Sequence, residues 1–181
     1  MLFVISGPTG SGKDTVISEL LKEFPLSYKM PSTVTRKPRP GEEGYRYVSV
    51  AEFKKFIEQD KLLEYGQVHG TDYYGTLKVD MADSIESDIP VFRILDVDGF
   101  QNIKKMNIKC VGIFLWVLDK DELARRIYLR GEDSEDIKRR IARVDYELEM
   151  SKNYDYVVNS GSLEESVKTC IEIVKKHMGK R

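Results

Sequence analysis

Cysteine is almost missing from this sequence. With only Cys110 and Cys170, there is no disulfide framework and no zinc-ligand spacing, and both thiols are expected to stay reduced. Long hydrophobic runs are missing too. The longest, Val111 to Leu118, is far shorter than the roughly 20 residues a membrane-spanning helix needs. No basic segment precedes the N-terminal apolar stretch, which runs straight into a glycine-rich loop and is read as a first strand, not a signal peptide. An excess of one charge is also lacking. The 29 Lys and Arg residues against 30 Asp and Glu leave a net charge of -1, which argues against a dedicated nucleic-acid binder. Basic residues cluster only locally, as in TRKPRP and KRRIAR. No internal repeat or low-complexity segment occurs. What remains is a chain of 181 residues, 41% hydrophobic and 33% charged. It suits one globular domain with its own core, expected in the cytoplasm and away from membranes.

Short β-branched apolar runs alternate with helical stripes. LFVIS, Val91 to Val97 and Cys110 to Leu118 read as strands buried on both faces, and YDYVVN as the last strand. Lys13 to Phe24, Ser134 to Met150 and Ser162 to His177 read as helices, with Pro25 ending the first. Ser49 with Glu52 forms a capping box before another helix. The alternation predicts an α/β fold around a largely parallel sheet. Residues 31 to 78 break it and read as a sub-region grafted onto the core, with short strands and turns in LLEYGQVHGTDYYGT.

The stretch GPTGSGKDT follows the first strand and opens the first helix. Glycines there let backbone N–H groups close around phosphate oxygens, and the helix dipole adds positive potential. Lys13 is placed to reach the β- and γ-phosphates, so the loop reads as a nucleoside-triphosphate site. One position is unusual. Asp14 stands where a hydroxyl would normally ligate magnesium. A carboxylate is a common magnesium ligand, so Asp14 is expected to hold the metal directly or through water and to make triphosphate binding more metal-dependent. The plainer alternative is a favourable charge in the first helical turn.

In STVTRKPRPGEEGYRY, Arg36, Arg39 and Tyr45 share a proline-stiffened loop, a donor set suited to a monophosphate. The alternative is a solvated basic loop. Asp96 and Asp98 follow the strand VFRIL. Alternate residues there would share a face and look into the ligand crevice, with turn-forming aspartates before Gly99 as the alternative.

STVTRKPRPGE, EYGQVHGTDYYGT, ILDVDG and GPTGSGKDT, in this spacing, resemble the guanylate kinase family from about residue 3 to residue 175. The resemblance implies a P-loop kinase fold: a five-stranded parallel core sheet flanked by helices, an inserted GMP-binding sub-region and a short lid. The core would be residues 1–31, 79–128 and 138–181, the monophosphate-binding region 32–78, and the lid about 129–137. The implied reaction is ATP plus GMP giving ADP plus GDP, with Mg2+, and dGMP as a further acceptor. The resemblance assigns ATP to Gly7, Gly10, Ser11, Gly12, Lys13, Asp14 and Thr15, with Asn159 near the adenine. It assigns GMP to Ser32, Arg36, Arg39, Tyr45, Glu64, Tyr74, Thr76 and Asp98, and catalysis to Lys13, Arg36, Arg130 and Arg140. Asp14 and, through water, Asp96 are the metal candidates. Arg143 is expected to be a plain surface or core-edge arginine. Glu64 also has independent chemistry, since a carboxylate accepts from guanine N1–H and N2–H₂ together and adenine has no donor at N1. A kinase with another acceptor and a non-catalytic binding module of the same fold are the competing readings.

Overall fold

The computed structural model describes all residues except 39–43, 69–71, 87, 117–120, 122, 124, 126–127, 129–133, 160 and 180–181, and only the backbone of 68, 83–86 and 134–140. The first strand, β1 (Leu2–Ser6), is buried along its whole length. Around it runs a five-stranded sheet in the order β2-β7-β1-β8-β9. Its other members are β2 (Tyr28–Lys29), β7 (Val91–Ile94), β8 (Cys110–Trp116) and β9 (Tyr156–Asn159). All pairings in this sheet are parallel. Its strands are apolar on both faces because helices cover both.

On one face Phe3, Ile5, Phe92, Ile113 and Leu115 pack on Val16, Ile17 and Leu20 of α1 (Lys13–Glu23). Cys170, Ile173 and Val174 of the C-terminal helix (Leu163–Met178) complete that layer. On the other face Leu2, Val4, Val91 and Phe114 meet Phe100 and Ile103 of α4 (Val97–Lys105). Full burial of each such side chain contributes about 1.5–3 kcal/mol, so the predicted apolar runs account for the core. Burial pushes the Cys110 thiol up to about 11 and the Cys170 thiol up to about 12, which keeps both protonated. Among the described residues no helix is long and apolar enough to cross a membrane.

A second sheet, ordered β4-β3-β6-β5, is built from β3 (Ser32–Val34), β4 (Tyr45–Tyr47), β5 (Leu62–Val68) and β6 (Asp72–Leu77). All its strands fall inside the segment read as an insertion. It is mixed: β3 pairs parallel with β4 and antiparallel with β6. Phe53, from α2 (Val50–Glu58), packs beneath it with Leu62 and Leu77. The Ser49 hydroxyl accepts from the Glu52 N–H at 3.1 Å, as the capping-box pattern requires.

Three details differ from the sequence reading. The strand expected over Val91 to Val97 ends at Ile94, because Asp96 caps α4 by accepting from the Gly99 N–H at 2.8 Å. Residues Lys78–Glu86 form a helix, α3, that the sequence did not signal. His177, the expected end of the last helix, is followed by Met178 in that helix, lies edge-on to Phe3, and has its Nε2 3.0 Å from the Tyr156 hydroxyl.

Candidate active site

Parallel pairing brings the carboxyl ends of β1, β7, β8 and β9 to one edge of the core sheet, with Ser6 beside Phe114 and Trp116 beside Asn159. A ligand crevice belongs at that edge, and the glycine loop opens there. Gly7 has φ +145°, and a Cβ on it would stand 2.3 Å from the Leu115 carbonyl oxygen. Only glycine fits so close an approach. Gly12, with φ +86°, turns the chain into α1. Lys13 folds over the loop and donates to the Gly7 and Pro8 carbonyls at 2.7 and 2.9 Å. The Ser11 hydroxyl is buried and has no hydrogen-bond partner among the described residues. Asp14 is exposed, and its Oδ1 accepts from Lys29 Nζ at 2.8 Å.

Lys29 leads toward the second sheet, where its ammonium sits 5.1 Å from the centre of the Tyr45 ring. Arg36 is the hub of a tyrosine cage. Its guanidinium carbon lies 4.8 Å from the Tyr45 centroid and 5.7 Å from that of Tyr47, while Nε donates to the Tyr74 hydroxyl at 2.8 Å. Of Arg36, Tyr45, Tyr74 and Arg39, which the resemblance sets around the GMP phosphate, the first three therefore meet. The fourth, Arg39, lies outside the described residues.

Ser32, Glu64 and Thr76 also converge. Thr76 stands opposite Glu64 in the β5–β6 register, and its hydroxyl donates to Glu64 Oε1 at 2.5 Å. Burial pushes the Glu64 carboxyl above the ordinary glutamate range, while the Thr76 hydrogen bond and the Arg93 charge pull it back. Arg93 enters from β7. It donates to Ser32 Oγ at 2.9 Å and to Thr76 Oγ1 at 2.6 Å, and lies 3.8 Å from Glu64 Oε1.

The two aspartates after β7 do not alternate on a strand. Asp96 is the cap of α4 and Asp98 lies in its first turn. Both face α5 (Ser134–Met150). Arg143 donates to Asp98 Oδ2 at 2.5 Å and to Asp96 Oδ2 at 3.4 Å, and the Tyr146 hydroxyl donates to Asp98 Oδ1 at 2.6 Å. Burial holds the carboxyl of Glu147, one helical turn beyond Arg143, above the ordinary glutamate range, and the charges of Lys13 and Arg143 offset only part of that push.

This architecture is shared with a crystal structure of guanylate kinase from Anaplasma phagocytophilum. The TM-score is 0.76 at 22% identity, over 99% of this chain and 87% of that one. A family model for guanylate kinase matches residues 1–177. A guanylate kinase of Shewanella sp. (strain MR-7) is 38% identical over 162 residues, covering 87% of this chain and 78% of that protein. Another, of Haemophilus influenzae (strain 86-028NP), is 38% identical over 180 residues, covering 96% and 86%. The chain belongs to the guanylate kinase family.

Of the residues that the guanylate kinase resemblance singled out, Arg130 lies outside the described residues, as does most of the segment read as the lid. Arg140 lies on α5, where the backbone alone is described at that position. Asn159 ends β9, and its side-chain oxygen accepts from the Gly161 N–H at 3.0 Å. Arg143 is exposed, as expected of a surface arginine, and it also pairs with the two carboxylates at the start of α4. Lys29, Tyr47, Glu147 and Arg93 were missed. Arg93 did carry a signal: a lone charge inside the apolar run VFRIL must find acceptors once the strand is buried.

Among the described residues no group of three or more His, Cys, Asp or Glu side chains forms a metal cage. Magnesium does not need one. It keeps several waters and takes one or two carboxylates plus substrate phosphates. Asp14 and Asp96, hard-oxygen donors with side chains 69% and 52% exposed, fit such a role.

Proposed function

We infer that this protein transfers the γ-phosphoryl group of ATP to GMP, with dGMP as a further acceptor. The observation that carries this reading is the meeting of Ser32, Thr76 and Glu64 in one half-buried pocket, in a chain of the guanylate kinase family. Glu64, ionised, accepts from the adjacent N1–H and N2–H₂ donors of guanine. Arg36, with Tyr45, Tyr74 and Arg39, grips the monophosphate. The loop from Gly7 to Thr15 holds the ATP phosphates through backbone N–H groups, with Asn159 close to the adenine.

Phosphoryl transfer asks the protein mainly for alignment and charge stabilisation. Lys13, Arg36, Arg130 and Arg140 supply positive charge around the moving group. Asp98, whose oxygens accept from Arg143 and Tyr146, is proposed to contact the guanine. Asp14, directly or through water, and Asp96 through water would hold Mg2+, which would supply charge neutralisation at the ATP phosphates. Closure of the 129–137 segment excludes water and so limits ATP hydrolysis. Two free thiols suit a reducing, cytoplasmic setting.

An ADP-release assay over GMP, dGMP, IMP, AMP, CMP and UMP, with and without Mg2+, tests the reading. GMP is expected to be the best acceptor, with dGMP also used. Turnover of none of them would remove the enzymatic reading. AMP turned over as fast as GMP would remove the role of Glu64.

A second test addresses the loop. Asp14→Ser restores the hydroxyl usual at this position and frees Lys29. The Mg2+ concentration for half-maximal rate is expected to fall or stay unchanged. Loss of activity at every Mg2+ concentration would mean that Asp14 does something other than hold the metal.

A further inference from the structure

Among the described residues Arg93 is a charged side chain sealed in the core. Its side chain is 2% exposed, and it is the bulkiest fully buried residue among those described. A guanidinium stays charged at such a site, so it must be compensated by acceptors. One backbone oxygen contributes, that of Met30 at 3.4 Å. The closer partners are side chains of the base pocket: Ser32 Oγ, Thr76 Oγ1 and, as counter-ion, Glu64. Arg93 Nε has no hydrogen-bond partner among the described residues.

We propose that Arg93 is a positioning residue that sets the base preference of the acceptor pocket, by fixing the hydrogen-bond polarity of Ser32 and Thr76 and the direction of Glu64. The proposal rests on the GMP reading above. Arginine has donors only. Ser32 Oγ and Thr76 Oγ1 must therefore accept from it, and each keeps one proton to give. Thr76 gives its proton to Glu64 Oε1. That leaves Oε2 and the second lone pair of Oε1 to accept from the ligand. Ser32 retains a proton for the ligand. At the six position guanine and hypoxanthine carry a carbonyl, which accepts that proton, and adenine carries an amino group, which competes with it. One buried cation on the core sheet thus orients three side chains on the inserted sheet toward a 6-oxopurine.

Arg93 also acts on the charge of Glu64. The charges facing Glu64 are Arg93 from β7 and Asp96 from the start of α4, with Thr76 bonded from β6. Burial and Asp96 favour the protonated acid, and Arg93 and Thr76 favour the carboxylate. Those facing Arg93 are Glu64, Asp80 and Tyr45.

Arg93→Met keeps an unbranched apolar stem and removes every donor. Arg93→Lys keeps the charge but has one head group for two hydroxyls. Steady-state kcat and KM are measured for GMP, IMP and AMP, with KM for GMP followed against pH and the fold checked by thermal melting. For Arg93→Met, KM for GMP is expected to rise about 30-fold, with kcat changed by less than about threefold. IMP shares the loss and AMP does not, so the preference for GMP over AMP falls by about tenfold or more. The acid limb of the GMP KM profile moves to higher pH, because removing the cation favours protonated Glu64. Arg93→Lys is expected to raise KM for GMP about tenfold while leaving that limb in place.

Equal loss for all three acceptors, or an unchanged GMP preference in a folded variant, would overturn the proposal. If Arg93→Met does not fold, Arg93→Lys decides: a wild-type GMP-to-AMP ratio in that variant overturns it. Failure of the wild-type protein to use GMP would instead remove the underlying functional reading, an outcome separate from either variant.

Discussion

Lys13→Ala is expected to lower kcat by about 10²–10³-fold, the usual cost of deleting one preorganised charge from a transfer site. The geometry points to a loss in the chemical step. Lys13 Nζ is held inside the glycine loop by the Gly7 and Pro8 carbonyls, so on the proposed reading the ammonium is placed before the β- and γ-phosphates arrive. A charge fixed before the substrate arrives needs no reorganisation during the reaction. The fold should survive, because α1 is anchored by Val16, Ile17 and Leu20 on the opposite side of the helix from solvent. The check is single-turnover ADP formation beside a thermal melt. A variant with near wild-type turnover would show that the loop is not the phosphate site.

Glu64→Gln is expected to raise KM for GMP about 10²-fold, with much less effect on AMP. The amide would present a donor to guanine N1–H and N2–H₂, where two acceptors are needed, and would leave buried polar atoms unmatched. The wild-type protein carries a pH signature of the same group. The Glu64 carboxyl lies above the ordinary glutamate range, chiefly because it is buried. In the proposed contact the carboxylate is the form that accepts from guanine. GMP affinity is therefore full above that raised pKa and falls as pH drops through it, starting at a higher pH than an exposed glutamate would give. In Glu64→Gln the limb should vanish. An acid limb that persists in the variant would assign the titration to another group.

Legibility in the sequence followed the range of the interactions. The phosphate loop was readable because its causes are local: a strand, glycines at close approaches and a helix start, all within Leu2 to Glu23. The parallel sheet was readable because strands buried on both faces need continuous apolar runs. Asp96 and Asp98 were misplaced on a strand because the strand's end depended on a cap. An aspartate before a glycine suits a helix N-cap as well as a turn, and the Gly99 N–H decided between them. Arg143 was read as helix surface and is exposed, but its ion pairs were not legible, because the pattern of α5 cannot say which carboxylates it will meet.

The amino-acid sequence alone determined the nucleotide loop, the class of fold and the inventory of groups that could grip a monophosphate and a base. Each of these rests on neighbours a few residues apart or on a motif in order. The tertiary structure alone decided which of those groups meet. Ser32, Glu64 and Thr76 share a pocket because β3, β6 and β5 pair in one register. Arg93 joins them from a different sheet. A guanidinium buried in a core strand cannot find acceptors on its own strand, so its partners are set by how the two sheets pack.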